Sequence, residues 1–138
     1  MTGQKTPEIP SKPRILVVED DYLISIELQS VLEDMGCVVI GPVPTVAEAV
    51  VVSRTVAIDA AIVDLILRGE ASYPVALSLA AHHVPFGFAT GAAFEMDEVW
   101  RSHHHITKPY MPDDVRLLLM LLLPAGQFDC SEQASSGT

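Results

Sequence analysis

Residues 14–21 read RILVVEDD, a β-branched run that stops abruptly at three carboxylates, Glu19, Asp20 and Asp21. Isoleucine, leucine and valine without polar alternation suit a strand buried on both faces, as in a parallel sheet covered by helices. Four further short apolar runs follow: CVVI at 37–40, DAAIV at 59–63, PFGFA at 85–89 and HHI at 104–106. The segments between them carry helix signals. Ile24, Leu28, Val31, Leu32 and Met35 recur at helical spacing, and Gly36 follows as a C-terminal stop. Thr45 and Glu48 form a capping-box pattern ahead of Val46, Ala49 and Val50. Ser72 before Pro74 suits a helix entry, with Val75, Ala76 and Leu79 facing inward. A short fourth helix is expected around Glu95 to Arg101. Pro112, Asp113 and Asp114 suit the first turn of a last helix whose buried stripe is Val115, Leu118, Leu119 and Leu122. Alternating strands and helices predict an α/β fold with a five-stranded parallel sheet.

The chain has 138 residues, 49% of them hydrophobic and 6% aromatic, enough for one domain with one core. That domain is expected over residues 14–123, between disordered arms at 1–13 and 124–138 that are polar or proline-rich. A formal charge of −10 repels phosphate backbones and anionic membranes, so neither nucleic acid nor a membrane surface is an expected partner. Two cysteines, Cys37 and Cys130, are too few for a disulfide framework or a zinc site and point to a reducing cytoplasm. The longest apolar run, LLLMLLL at 117–123, is far shorter than the roughly 20 residues a membrane span needs. A soluble, cytoplasmic protein is expected.

Parallel sheets bind ligands beyond the carboxyl ends of their strands. Glu19 and Asp20 stand there after the first run, Asp64 after the third, Thr90 after the fourth and Lys108 after the fifth. Clustered carboxylates repel, and a hard divalent cation such as Mg²⁺ relieves that repulsion with oxygen ligands. Lys108 adds a positive charge and Thr90 a hydroxyl donor, both suited to phosphoryl oxygens. A cation, an ammonium and a hydroxyl around one carboxylate are what phosphoryl transfer to that carboxylate requires. Asp21 reads as the cap of the first helix rather than a ligand. His103, His104 and His105 lie in or beside a strand, where side chains alternate between faces, so packing is their expected role. His82 and His83 suit a helix end. Trp100 is expected to be partly buried, and Arg68 to be a solvated loop residue beside Asp64.

ILVVEDD at 15–21, IVDLILRG at 62–69, FATG at 88–91 and ITKP at 106–109 together resemble the receiver domain of two-component response regulators, the CheY-like family. The resemblance implies a flavodoxin-like, doubly wound sheet of order 2-1-3-4-5, with Asp64 as phosphoacceptor. It implies Mg²⁺ held by Glu19, Asp20, Asp64 and the backbone carbonyl of Ile66, with Lys108 and Thr90 on the phosphoryl group. It also implies a cis peptide before Pro109. PFGFATGAA at 85–93, with SYP at 72–74, is similar to the motif of the alphaproteobacterial FAT GUY subfamily, associated with HWE-type or related kinases and general stress responses. Ala93 stands where that motif closes on Tyr, and His105 stands where many receivers carry a switch Tyr or Phe.

The resulting expectation is a stand-alone receiver in a phosphorelay. It accepts a phosphoryl group from a histidine kinase or phosphotransfer protein, loses it again by transfer or hydrolysis, and signals by docking or serves as a shuttle or sink. No output domain is expected after residue 123. Leu117, Met120 and Leu121 fall outside the inward stripe of the last helix, which predicts a homodimer or partner interface on the surface of the fourth helix, fifth strand and last helix. His105 belongs to that surface. The rival readings are a pseudo-receiver that binds partners without phosphorylation and a haloacid dehalogenase-type phosphohydrolase. The second expects an acid where Ile66 stands. A dinucleotide-binding domain would need a GxGxxG after the first strand, which is absent.

Overall fold

The computed structural model describes residues 12–91 and 96–126. Five strands, β1 (Arg14–Val18), β2 (Val38–Val43), β3 (Ala60–Asp64), β4 (Phe86–Thr90) and β5 (His105–Thr107), form one sheet. Every pairing in it is parallel, in the order 2-1-3-4-5. The helices are α1 (Tyr22–Asp34), α2 (Val46–Thr55), α3 (Tyr73–Ala81) and α4 (Pro112–Leu122). This is the flavodoxin-like arrangement the resemblance implies.

Strand alternation builds the core in two layers. Ile15 and Val17 of β1 pack with Leu28 and Leu32 of α1 and Leu118 and Leu119 of α4 on one face. Leu16 and Val18 turn to the other face, with Val46 and Ala49 of α2, Val75 and Leu79 of α3, and Phe88. Gly87 lets the last helix approach the sheet, because a Cβ there would come within 2.7 Å of the Leu118 side chain. Cys37 is buried, and burial pushes its thiol up to about 11, so it is a neutral core residue at physiological pH.

Most helix boundaries follow their caps. The Asp21 carboxylate accepts the Ile24 amide at 3.1 Å, and Thr45 Oγ1 accepts the Glu48 amide at 3.2 Å. Asp114 accepts the Met111 amide at 2.8 Å, which fixes the entry of α4. Ser72 is the residue before α3, yet its buried hydroxyl makes no capping bond. The expected fourth helix at 95–101 is, among the described residues, only a single 3-10 turn, Glu98–Trp100. Its periodicity is weak, and the turn is held by side chains from outside it rather than by an apolar stripe. Pro13, assigned to the N-terminal arm, is buried and accepts the Val38 amide through its carbonyl at 2.8 Å. The remainder of that arm, most of the C-terminal tail with Cys130, and Ala93 lie outside the described residues. No helix among the described residues is long and apolar enough to cross a membrane.

Candidate functional site

The carboxyl edge of the sheet gathers the expected residues. β1 ends directly before Glu19, β3 ends on Asp64 and β4 on Thr90, while Lys108 follows β5. Glu19, Asp64 and Thr90 are buried polar groups in an apolar sheet. Three carboxylates, from Glu19, Asp20 and Asp64, bring oxygens within 4.8 Å of one another. Such an all-oxygen donor set, partly open to solvent at Asp20, fits a hard divalent cation with retained waters.

Lys108 is held where those charges converge. Its amide donates to the Thr90 carbonyl at 2.8 Å, and the following peptide to Pro109 is cis, as the resemblance implies. Its Nζ lies 3.1 Å from Asp64 Oδ2 and 3.2 Å from Glu19 Oε1. Burial works against its charge, but the carboxylates of Asp64 and Glu19 more than reverse this and leave its pKa raised. Glu19 is pushed up to about 7, chiefly by burial and then by its hydrogen bond and repulsion with Asp64. The Asp21 amide, 3.1 Å from Glu19 Oε2, pulls the other way.

Asp20 is held separately. Residues Ile66–Leu67 and Glu70–Ala71 pair as a small antiparallel hairpin whose turn, Arg68-Gly69, has φ of 51° and 80°. The Arg68 amide at this turn donates to Asp20 Oδ2 at 2.8 Å. Arg68 therefore serves the site through its backbone, and its side chain is exposed as expected. Ile66 sits in the hairpin two residues after Asp64, with its side chain exposed.

Two aromatic residues near the site were not singled out by sequence. Tyr110 lines an apolar groove of about 630 Å³ between α1 and the start of α4, with Ile24, Glu27, Leu28, Pro109 and Val115. Its buried hydroxyl has no hydrogen-bond partner among the described residues, and burial, with Glu19 and Asp64 behind it, pushes its pKa upward. Tyr73 reaches the segment after β4. Only the SYP triplet marks it in sequence, and a triplet does not tell where a ring points. His105 is half-buried, with Nδ1 3.0 Å from the His103 carbonyl. His103 stacks on Phe86 at 4.3 Å and places Nε2 2.7 Å from the Phe86 carbonyl, so it packs the sheet edge. Burial lowers its pKa. Along α4, Val115, Leu118, Leu119 and Leu122 are buried, whereas Leu117 and Leu121 are 58% and 65% exposed.

No protein-family model and no curated protein sequence matches the chain. Solved structures do. SdrG from Sphingomonas melonis Fr1 is 41% identical over 80% of this chain and 96% of its own, with a TM-score of 0.73. The response regulator REC domain of PhyR from Erythrobacter litoralis superposes with a TM-score of 0.73 at 21% identity, over 80% of this chain and 89% of that one. A receiver domain of a sensor histidine kinase from Pseudomonas aeruginosa, with magnesium in its active-site cleft, gives 0.71 at 21% identity, over 81% and 98%. The chain belongs to the CheY-like receiver domains of response regulators, proteins of two-component signalling.

Proposed function

We propose that this receiver accepts a phosphoryl group on Asp64 from a phosphohistidine of a histidine kinase or phosphotransfer protein, and returns it by transfer or hydrolysis. The observation that carries the reading is Lys108 Nζ bridging Asp64 and Glu19 at 3.1 and 3.2 Å, with Asp20 beside them. An Asp64 carboxylate oxygen attacks phosphorus, a P–O bond forms, and the P–N bond to the donor imidazole breaks with its electron pair on nitrogen. Glu19, Asp20, Asp64 and the Ile66 carbonyl would hold Mg²⁺, which when bound neutralises charge on the phosphoryl oxygens. Lys108 would pair with one of those oxygens once the acyl phosphate forms, and the Thr90 hydroxyl would donate to another. The apolar groove along α1 is lined in part by Lys108, and a donor protein seated in it would lie beside that lysine.

The FAT GUY affiliation and a place in stress signalling belong to this proposal. Their support is the PFGFATG motif, with SYP at 72–74. Incubation of the protein with a small phosphodonor, with and without Mg²⁺, is the direct test. A Mg²⁺-dependent phosphoform whose modified peptide carries Asp64 is expected; a modification on any other residue, or none with an active donor, overturns the reading.

The exposed Leu117 and Leu121 of α4, with His105 on β5, support docking of a partner or second copy on that face. Leu117→Lys combined with Leu121→Lys is expected to weaken self-association or partner capture by about tenfold, without loss of the phosphoform. Unchanged mass by light scattering together with unchanged partner binding removes the interface.

A further inference from the structure

Tyr73, at the start of α3, joins the chain that leaves Asp64 to the segment around Asp97 and Trp100. The chain leaves β3 through Leu65, passes the hairpin and returns at Ser72, whose amide donates to the Leu65 carbonyl at 2.8 Å. Leu65 in turn donates to the Ala89 carbonyl at 2.9 Å, one residue before Thr90. Tyr73 follows Ser72 at the start of α3. Its hydroxyl accepts the backbone amide of Asp97 at 2.7 Å, across 24 positions of sequence. Its ring lies parallel to the Trp100 indole, with centroids 5.9 Å apart at an interplanar angle of 6°. The same ring meets Phe88 of β4 edge-on at 6.0 Å.

The segment that receives these contacts has little of its own to hold it. It is a 3-10 turn of three residues, closed by the Trp100 amide on the Asp97 carbonyl at 2.8 Å. Met96 is buried, and Arg101 donates through Nε to the Met96 carbonyl at 3.1 Å. Trp100 also packs edge-on against Phe88 at 5.7 Å and His103 at 5.7 Å. Short 3-10 turns are weak in isolation, so the position of residues 96–101 depends on these side chains, and among them Tyr73, the first residue of α3, directly follows the loop after Asp64.

We propose that Tyr73 is a positioning residue that ties the loop after Asp64 to the segment around Asp97 and Trp100, so that a change of charge at Asp64 moves both as one unit. The proposal rests on Asp64 being the phosphoacceptor. It gives the receiver a mechanical connection through α3 that does not pass through His105. A connection of this kind transmits only the difference in its contacts between two states, so breaking it must uncouple the far segment while the near loop still responds.

Trp100 is the one tryptophan of the chain, so its indole N–H resonance and its emission report on this segment alone. The test compares wild type, Tyr73→Phe and Tyr73→Leu, each with Mg²⁺ and beryllofluoride, by amide NMR and tryptophan fluorescence. Phosphoform yield with a small phosphodonor is measured in parallel. In Tyr73→Phe the ring stack survives and only the hydroxyl bond is lost. The ligand-dependent shifts of the Asp97 amide and Trp100 indole are expected to fall at least about twofold, while those of Leu65 and Ser72 keep their wild-type size. Tyr73→Leu is expected to lose the far response almost entirely. A residue with a merely structural role would move the resting signals and leave the ligand-dependent differences intact. Full far-segment responses in both variants overturn the coupling. Absence of any Mg²⁺-dependent phosphoform in wild type overturns instead the assignment of Asp64, and the coupling falls with it.

Discussion

Asp64→Asn is expected to abolish the phosphoform and, in the metal-free protein, to flatten the fall of stability between pH 5 and pH 8 by about 1–2 kcal/mol. The first effect follows because an amide has no free carboxylate oxygen to attack phosphorus. The second follows from Glu19, 4% exposed and pushed up to about 7 by burial first and by Asp64 next. A folded pKa above the ordinary 4.5 means that the stabilisation from the Glu19 proton is complete below about 4.5 and is lost as pH rises through about 7. At roughly 1.4 kcal/mol per pH unit the ceiling on that loss is about 3 kcal/mol. The variant removes the share due to Asp64 and keeps the share due to burial. Its stability should therefore fall less steeply between pH 5 and pH 8 than that of wild type. His103, whose lowered pKa contributes in the opposite direction, is common to both proteins and cancels in the comparison. Loss of the Asp64 partner of Lys108 offsets the variant's curve as a whole without changing its slope, because Lys108 keeps its charge across this range. Urea unfolding with a chelator at several pH values measures the difference in slope; parallel curves contradict it.

Gly41→Ala should cost about 3 kcal/mol or more. Gly41 has φ of +102°, and a Cβ built there would stand 2.8 Å from the Val43 amide nitrogen and 2.9 Å from the Val17 carbonyl oxygen. Both atoms are backbone, on β2 and β1, and β1 shifts register against β2 between Leu16 and Val18. Neither can withdraw without disturbing the strand that leads into Glu19, whose own amide donates to the Val43 carbonyl at 3.0 Å. Gly36 provides the internal comparison. Its φ is +88°, but a Cβ there meets nothing within 4 Å. Gly36→Ala should cost only the roughly 1–2 kcal/mol of the left-handed conformation. Equal losses for the two variants by thermal or urea unfolding would show that the close backbone approach at Gly41 contributes nothing.

The parts of the fold legible in the sequence are those where one physical rule acts alone. β1 and β3 are continuous apolar runs ending in acids, and a buried parallel strand meeting solvent at its carboxyl end produces that pattern. The stripe of α4 is equally plain, because four inward residues and two strongly exposed ones follow helical spacing. Glu19, Asp20, Asp64, Thr90 and Lys108 could be placed at one edge from strand ends alone, since topology brings those ends together. The segment after β4 was not legible. Its conformation depends on Tyr73, Phe88 and His103 from three other parts of the chain, and a local pattern carries no record of such contacts. Ser72 misled in a smaller way: its position at the helix entry was right, but its hydroxyl is buried and does not cap.

The hairpin after β3 has a thermodynamic consequence for whatever binds beside Asp64. Asp20 is the most solvent-accessible of the three acids, and an unrestrained carboxylate at that position would sample several rotamers. The Arg68 amide, presented by a turn that only the paired strands can hold in shape, confines Asp20 before any cation arrives. Ordering such a side chain costs on the order of 0.5–1 kcal/mol, and here that cost is met during folding rather than during association. Preorganisation of the outermost acid thus becomes a property of the hairpin, and under the proposed Mg²⁺ reading substitutions at Leu67 or Ala71 would tune cation affinity without touching Glu19, Asp20 or Asp64.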